Sequence, residues 1–161
     1  MQKNNLKQIL LLIEFLKELE LKISQMYKAA AVKWEKEKYF LITLSQEEEK
    51  HVCHLTTMSD MLEKNPGQFE RGRFFSPMAI RTVIRGIDEN RERIKQNKLN
   101  LKKMLSIAID IENSLLERNY KELVKSDNVK YGTLVREIEE DTIKHRDKLK
   151  NKLEQYKQND R

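Results

Sequence analysis

Four stretches of this chain place apolar side chains at alternating steps of three and four, and polar residues break each seam near its middle. That spacing is one face of a helix packed against other helices. The first seam reads Ile13, Leu16, Glu20, Ile23, Tyr27, Ala30 and the second Leu41, Leu44, Glu48, His51, Leu55, Met58, Leu62. The third reads Leu101, Leu105, Ala108, Glu112, Leu115, Asn119 and the fourth Tyr131, Val135, Ile138, Thr142, His145, Leu149. Only 4 Gly and 2 Pro occur in 161 residues, so the chain has little means of making many tight turns. No alternating apolar pattern points to strands.

The expected helices run over about 5–32, 36–63, 77–96, 100–124 and 129–157. The first break, near 32–36, contains no Gly or Pro. The second is marked by Asn65-Pro66-Gly67, after which Ser76-Pro77 reads as an N-cap followed by Pro in the first turn. Asn100 can cap the next helix, and Ser126-Asp127-Asn128 marks the last turn. The fold class implied is all-α: residues 1–161 as a single domain, built as a bundle of two helical hairpins joined by a long helix-containing crossover. A helix of about 26 residues is about 39 Å long, which leaves room inside for buried side chains.

The stretch EEEKHVCHL, residues 47–55, shows what the interruptions mean. Glu47, Glu49 and Lys50 fall off the seam and are expected in solvent. Glu48 and His51 fall on it. A carboxylate inside a bundle must be paired, protonated or bound to a cation. Glu20, Glu48, His51, Glu112 and His145 lie at similar depth on four helices, which suggests one shared reason. Oxygen and nitrogen donors in this mixture suit iron, manganese or zinc. The alternative is a buried hydrogen-bonded network without metal.

Here the chain resembles the rubrerythrin-like branch of the ferritin-like di-metal carboxylate proteins. That family draws one Glu from each of two helices and a Glu-x-x-His pair from each of the other two. Glu48-x-x-His51 in LSQEEEKH matches the first pair, Glu20 in ELKISQMY and Glu112 in IAIDIENSLLERNY the lone acids, and His145 in IEEDTIKH the last histidine. The resemblance covers the four main helices and not residues 65–99. It implies a ferritin-like bundle, with Glu20, Glu48, His51, Glu112 and His145 as metal ligands. The departure from the pattern is Thr142, which stands where the second pair needs a Glu. Asp141, four residues before His145, is a candidate substitute or supporting partner, and Glu140 a weaker one. Three carboxylates leave two divalent cations short of balance unless Asp141, hydroxide or an external anion joins. A single tightly held ion or an asymmetric pair is therefore expected over a symmetric di-iron centre.

If the metal is redox-active, the resemblance implies reaction of iron with peroxide or dioxygen. A single cysteine, Cys53, excludes a four-cysteine rubredoxin-like domain, so electrons would come from an external donor. The rival reading is a non-enzymatic helical interaction protein with a metal-free polar core; a third is a metal carrier or sensor without turnover. His54 and Tyr27 are read first as packing residues, with a ligand role for His54 and a carboxylate-donor role for Tyr27 beside Glu20 as alternatives. Cys53 reads as an ordinary small residue, Trp34 as a plug at the hairpin end, and Arg71, Arg73, Arg81 and Arg85 as a solvated crossover. The net charge of +6 is carried by residues 64–161, but bases alternate with acids and no stacking aromatics accompany them, which disfavours nucleic acid. Glu14 interrupts the apolar start, which is too short to span a bilayer. The expectation is a soluble, cytoplasmic protein with no membrane partner; a homodimer through an exposed seam stays open.

Overall fold

Helix α1 spans Lys3–Lys33, and α2 spans Lys38–Lys64 after one tight turn over Glu35–Glu37. Helices α3 (Pro77–Lys95), α4 (Leu101–Arg118) and α5 (Val129–Gln158) follow. These bounds come from a computed structural model that describes residues 1–73, 76–118 and 120–158, without the side chains at 117 and 118. The fold is all-α with almost no sheet. Among the described residues no helix is long and apolar enough to cross a membrane.

Local chemistry explains the helix ends. The Trp34 N–H closes α1 on Ala30 O at 2.9 Å, and the Lys33 ammonium lies 4.8 Å from the indole centroid, so Trp34 packs at the hairpin end as expected. Pro77 occupies the first turn of α3, but the Ser76 side chain makes no capping bond. Asn97, at φ 57°, takes the left-handed conformation that stops α3. Asn100 Oδ1 accepts the Lys103 N–H at 2.8 Å, and Asn128 Oδ1 accepts the Tyr131 N–H at 3.1 Å; both are side-chain caps.

Helices α1 and α2 form one hairpin and α4 and α5 the other; the hairpins meet along α2 and α5. Helix α3 lies on α1 and barely touches α4. Its buried stripe is Ile80, Ile84, Ile87 and Ile94, and Lys22 of α1 pairs with Asp88 at 2.8 Å. Leu12, Leu19 and Met26 on α1 bury a second face that lies off the seam. Every seam residue of α1, α2 and α5 is buried, as are Leu105, Ala108, Glu112 and Leu115 of α4, while Leu101 is half-buried and Asn119 lies outside the described residues.

Two expectations fail at the far end of the crossover. The fourth helix was expected to run to 124, but α4 ends at Arg118 and a tight turn over Tyr120–Glu122 follows. No strand was expected, yet β1 (Glu70–Arg71) pairs antiparallel with β2 (Val124–Lys125). Gly72 is the reason the two segments can meet: its N–H bonds Leu123 O at 3.1 Å, and a Cβ there would collide with the Glu122 carbonyl. The turn also drops Tyr120 into the core, 3% exposed.

Candidate metal centre

Seam spacing alone puts Glu20, Glu48, His51, Glu112 and His145 inside, and all five are fully buried. They converge as two groups that share one carboxylate. Glu20, Glu48 and His51 form the first and Glu48, Glu112 and His145 the second, with the ligating atoms of each within 4.8 Å of one another. His51 Nδ1 lies 3.0 Å from Glu48 Oε2 and 3.7 Å from Glu20 Oε2. His145 Nδ1 lies 2.8 Å from Glu48 Oε1 and 3.9 Å from Glu112 Oε1. The imidazole rings stack at 5.5 Å with 26° between planes.

The two outer carboxylates are each held by one tyrosine. Tyr27 OH donates to Glu112 Oε1 at 2.9 Å and Tyr120 OH donates to Glu20 Oε1 at 2.8 Å. So Tyr27 serves the acid on α4, not its own helix neighbour Glu20. In both cases the second oxygen, Oε2, is buried without a hydrogen-bond partner among the described residues. The nitrogens of His145 are in the same condition, because the nearby carboxylate oxygens sit off the N–H direction. Buried donors and acceptors are rarely left unmatched. Unmatched oxygens of Glu20 and Glu112, each in a group with Glu48 and a histidine, fit a shared cation.

Asp141 does not join either group. It is half-buried, its Oδ1 is 3.0 Å from Lys144 Nζ and its Oδ2 is 3.3 Å from Lys50 Nζ. The same Oδ2 lies 3.8 Å from Nε2 of His51, the nitrogen facing away from the centre. Its short arm reaches the outside of an imidazole rather than the inside of the cluster. Glu140 is exposed, beside Arg136. Glu47, expected in solvent, is half-buried: its Oε2 is 2.9 Å from His145 Nε2 and 3.1 Å from Lys148 Nζ. Glu49 is also half-buried, bonded to Ser24 at 3.2 Å and paired with Lys28. Lys50 is exposed as expected. His54 stays outside the cluster, 3.4 Å from Glu137, and Cys53 faces solvent. The four crossover arginines are exposed; Arg71 bonds Asn5 and Arg81 lies over the Phe15 ring.

Glu47 and Tyr120 are the participants that seam reading misses. Glu47 precedes Glu48 as Asp141 precedes Thr142, and the two acids reach across to the histidine of the opposite helix. That internal symmetry is the signal that finds them. Tyr120 has no periodic signal, since it follows the end of α4.

Electrostatics define the metal-free state. Burial pushes the Glu112 carboxyl well above the usual carboxylate range, and neighbouring Glu48 pushes it further. Glu20 is raised as well, chiefly by burial. Burial also opposes ionisation of Glu48, but His145 and His51 outweigh it and hold this carboxyl far below the usual range. For His51, burial disfavours the charged ring; Glu20 and Glu48 reverse this and push it up to about 11. Without metal, these shifts favour an anionic Glu48 beside a cationic His51, and retention of protons by Glu20 and Glu112. A metal ion would displace those protons.

The buried Glu and His groups could hold a metal ion; their donor set does not select which metal. No family model, curated protein or solved structure matches the chain.

Proposed function

We propose that this chain is a metal-binding protein of ferritin-like, rubrerythrin-like architecture, with Glu20, Glu48, His51, Glu112 and His145 as ligands. One observation carries the reading: two Glu/Glu/His groups, fully buried, meet at Glu48 with their donor atoms in reach of common ions. The pairing of two hairpins with a helical crossover supports the same architecture. Tyr27 and Tyr120 would orient Glu112 and Glu20 so that the Oε2 atoms face the ion. Glu47 and Asp141 would lie behind His145 and His51 as carboxylate neighbours, 2.9 and 3.8 Å from the outer nitrogens.

Iron is the metal we favour, and a bound iron would supply electrons for reducing peroxide or dioxygen. The chain itself would bind and orient the ion and exclude bulk water. With Thr142 in place of a fourth carboxylate, a coordination position would be left for an oxygen ligand that is not a side chain. Reducing equivalents would come from an external donor.

Elemental analysis of protein purified without chelator tests the proposal. Bound iron, manganese or zinc that His51→Ala loses supports it; metal content unchanged by His51→Ala counts against the site. Peroxide-dependent oxidation of the ferrous protein then separates an enzyme from a carrier or sensor. A second reading has its own observation: the proton-balanced core, with His51 bonded to Glu48, is compatible with a stable metal-free network in a helical interaction protein. Protein that takes up no metal would favour that reading.

A further inference from the structure

The centre has an approximate internal twofold relation. Glu20 matches Glu112 as the outer acid, Tyr120 matches Tyr27 as its donor, and His51 matches His145. Glu47 and Asp141 match as the acids behind the histidines. The relation fails at one pair. Glu48 lies one turn before His51 and belongs to both ligand groups; Thr142 lies one turn before His145. Thr142 is 1% exposed, and its hydroxyl donates to Ile138 O at 2.8 Å. It is neutral and turned back on its own helix.

Two divalent ions carry four positive charges, against three from Glu20, Glu48 and Glu112. The nearest other carboxylates cannot supply the difference. Asp141 is matched by Lys50 and Lys144, and Glu47 by Lys148. An unbalanced charge at a fully buried centre is costly. Thr lacks the carboxylate group that Glu48 carries at the matching place, so a one-carboxylate anion is the natural probe.

We infer that this protein takes a small exogenous carboxylate-class anion beside Thr142, and that binding of a second divalent ion depends on it. The inference rests on the metal-binding reading above. Without such an anion the centre holds one ion; with it, two. The coupling is reciprocal, so the anion binds more tightly to the doubly loaded protein.

The test is a Co²⁺ titration of the full chain in a non-coordinating buffer, read by visible absorption and by metal content after desalting. Formate is the probe, and benzoate the size control. In the parent, formate is expected to raise affinity for the second ion by about tenfold or more and to perturb the spectrum, while benzoate does neither. Thr142→Val should keep the formate response, since the hydroxyl is not the ligand. Thr142→Glu should bind two ions without formate and lose the response. Metal binding that formate leaves unchanged in the parent would overturn the inference and leave the metal site standing. A formate response equally strong in Thr142→Glu would also overturn it. No Co²⁺ uptake under any condition would remove the metal reading and this inference together. If Thr142→Glu does not fold, the parent and Thr142→Val decide.

Discussion

His145 Nδ1 on α5 lies 2.8 Å from Oε1 of Glu48 on α2, while the other oxygen of the same carboxylate is 3.0 Å from His51. Glu48 is thus the one acid common to both ligand groups. Removing a group that merely supports a ligand costs roughly 10–100-fold in metal affinity. Glu48→Gln should therefore cost more than about 100-fold and should empty both positions together. Titration calorimetry with Mn²⁺ or Zn²⁺ checks this, with Glu49→Gln as the control. Glu49 faces Lys28 and Ser24, outside the cluster, so its variant should bind as the parent does. Loss of only one ion from a two-ion protein on Glu48→Gln would contradict the shared role.

The tyrosines make a separate prediction about the metal-free protein. Tyr27→Phe keeps the ring and leaves Glu112 Oε1 buried without its donor; Tyr120→Phe does the same to Glu20. Each should lower unfolding free energy by about 1–3 kcal/mol, the usual cost of orphaning one buried partner. Urea denaturation with chelator present measures it. A change within error for both variants would mean that these hydrogen bonds do not hold the carboxylates.

Much of this arrangement is legible in the chain because helical seams translate directly into burial. Glu20, Glu48, His51, Glu112, Thr142 and His145 are each placed inside by spacing alone, and all are buried. What escapes is set by contacts that have no period. Tyr120 reaches Glu20 from the tight turn Tyr120–Glu122, which leads into β2, and β2 pairs with β1 some fifty residues away in sequence. Glu47 looks like a solvent-facing acid on its own helix, and only α5 reveals its partner. The position of Asp141 before His145 points it towards the centre, but a short side chain with two lysines alongside stays at the edge.

That same strand pair gives a prediction at a distance from the cluster. A Cβ at Gly72 would meet the Glu122 carbonyl inside the closest approach that real Cβ atoms make, and that neighbour is backbone. Gly72→Ala should cost about 1–3 kcal/mol through the forced shift. Because Glu122 is two residues from Tyr120, the shift should also loosen the Tyr120 bond to Glu20 and weaken metal binding. Gly86→Ala in α3 is the contrast: nothing lies within 4 Å of a Cβ there, and a helix interior favours Ala over Gly by about 0.5–1 kcal/mol. Thermal melts and metal titrations of the two variants should therefore move in opposite directions in stability, with only Gly72→Ala affecting the metal.

The proton balance of the core fixes a pH dependence whose sign differs from that of an ordinary surface-charged helical protein. His51 is raised from 6.5 to about 11, so its stabilising contribution is complete below 6.5 and is lost as pH rises towards 11. Glu112 and Glu20 are raised too, so folding opposes their ionisation and the penalty begins to grow above 4.5. Glu48 is lowered; its contribution is present above 4.5 and disappears only in strong acid, outside the working range. His51, Glu112 and Glu20 act in one direction above pH 6.5, and the metal-free protein should melt at progressively lower temperature as pH rises from there; His54, lowered chiefly by burial, acts the other way only below 6.5. A bound divalent ion replaces the protons, so its stabilisation should increase with pH over the same interval. Melting curves at pH 6 and pH 9, with chelator and with excess Mn²⁺, test both halves. His51→Gln should flatten the metal-free slope, because it removes the largest ionisable cation in the core. A melting temperature that climbs from pH 6 to pH 9 in the presence of chelator would show that Glu48 and His51 do not share the charge pair on which the proton-balanced core depends.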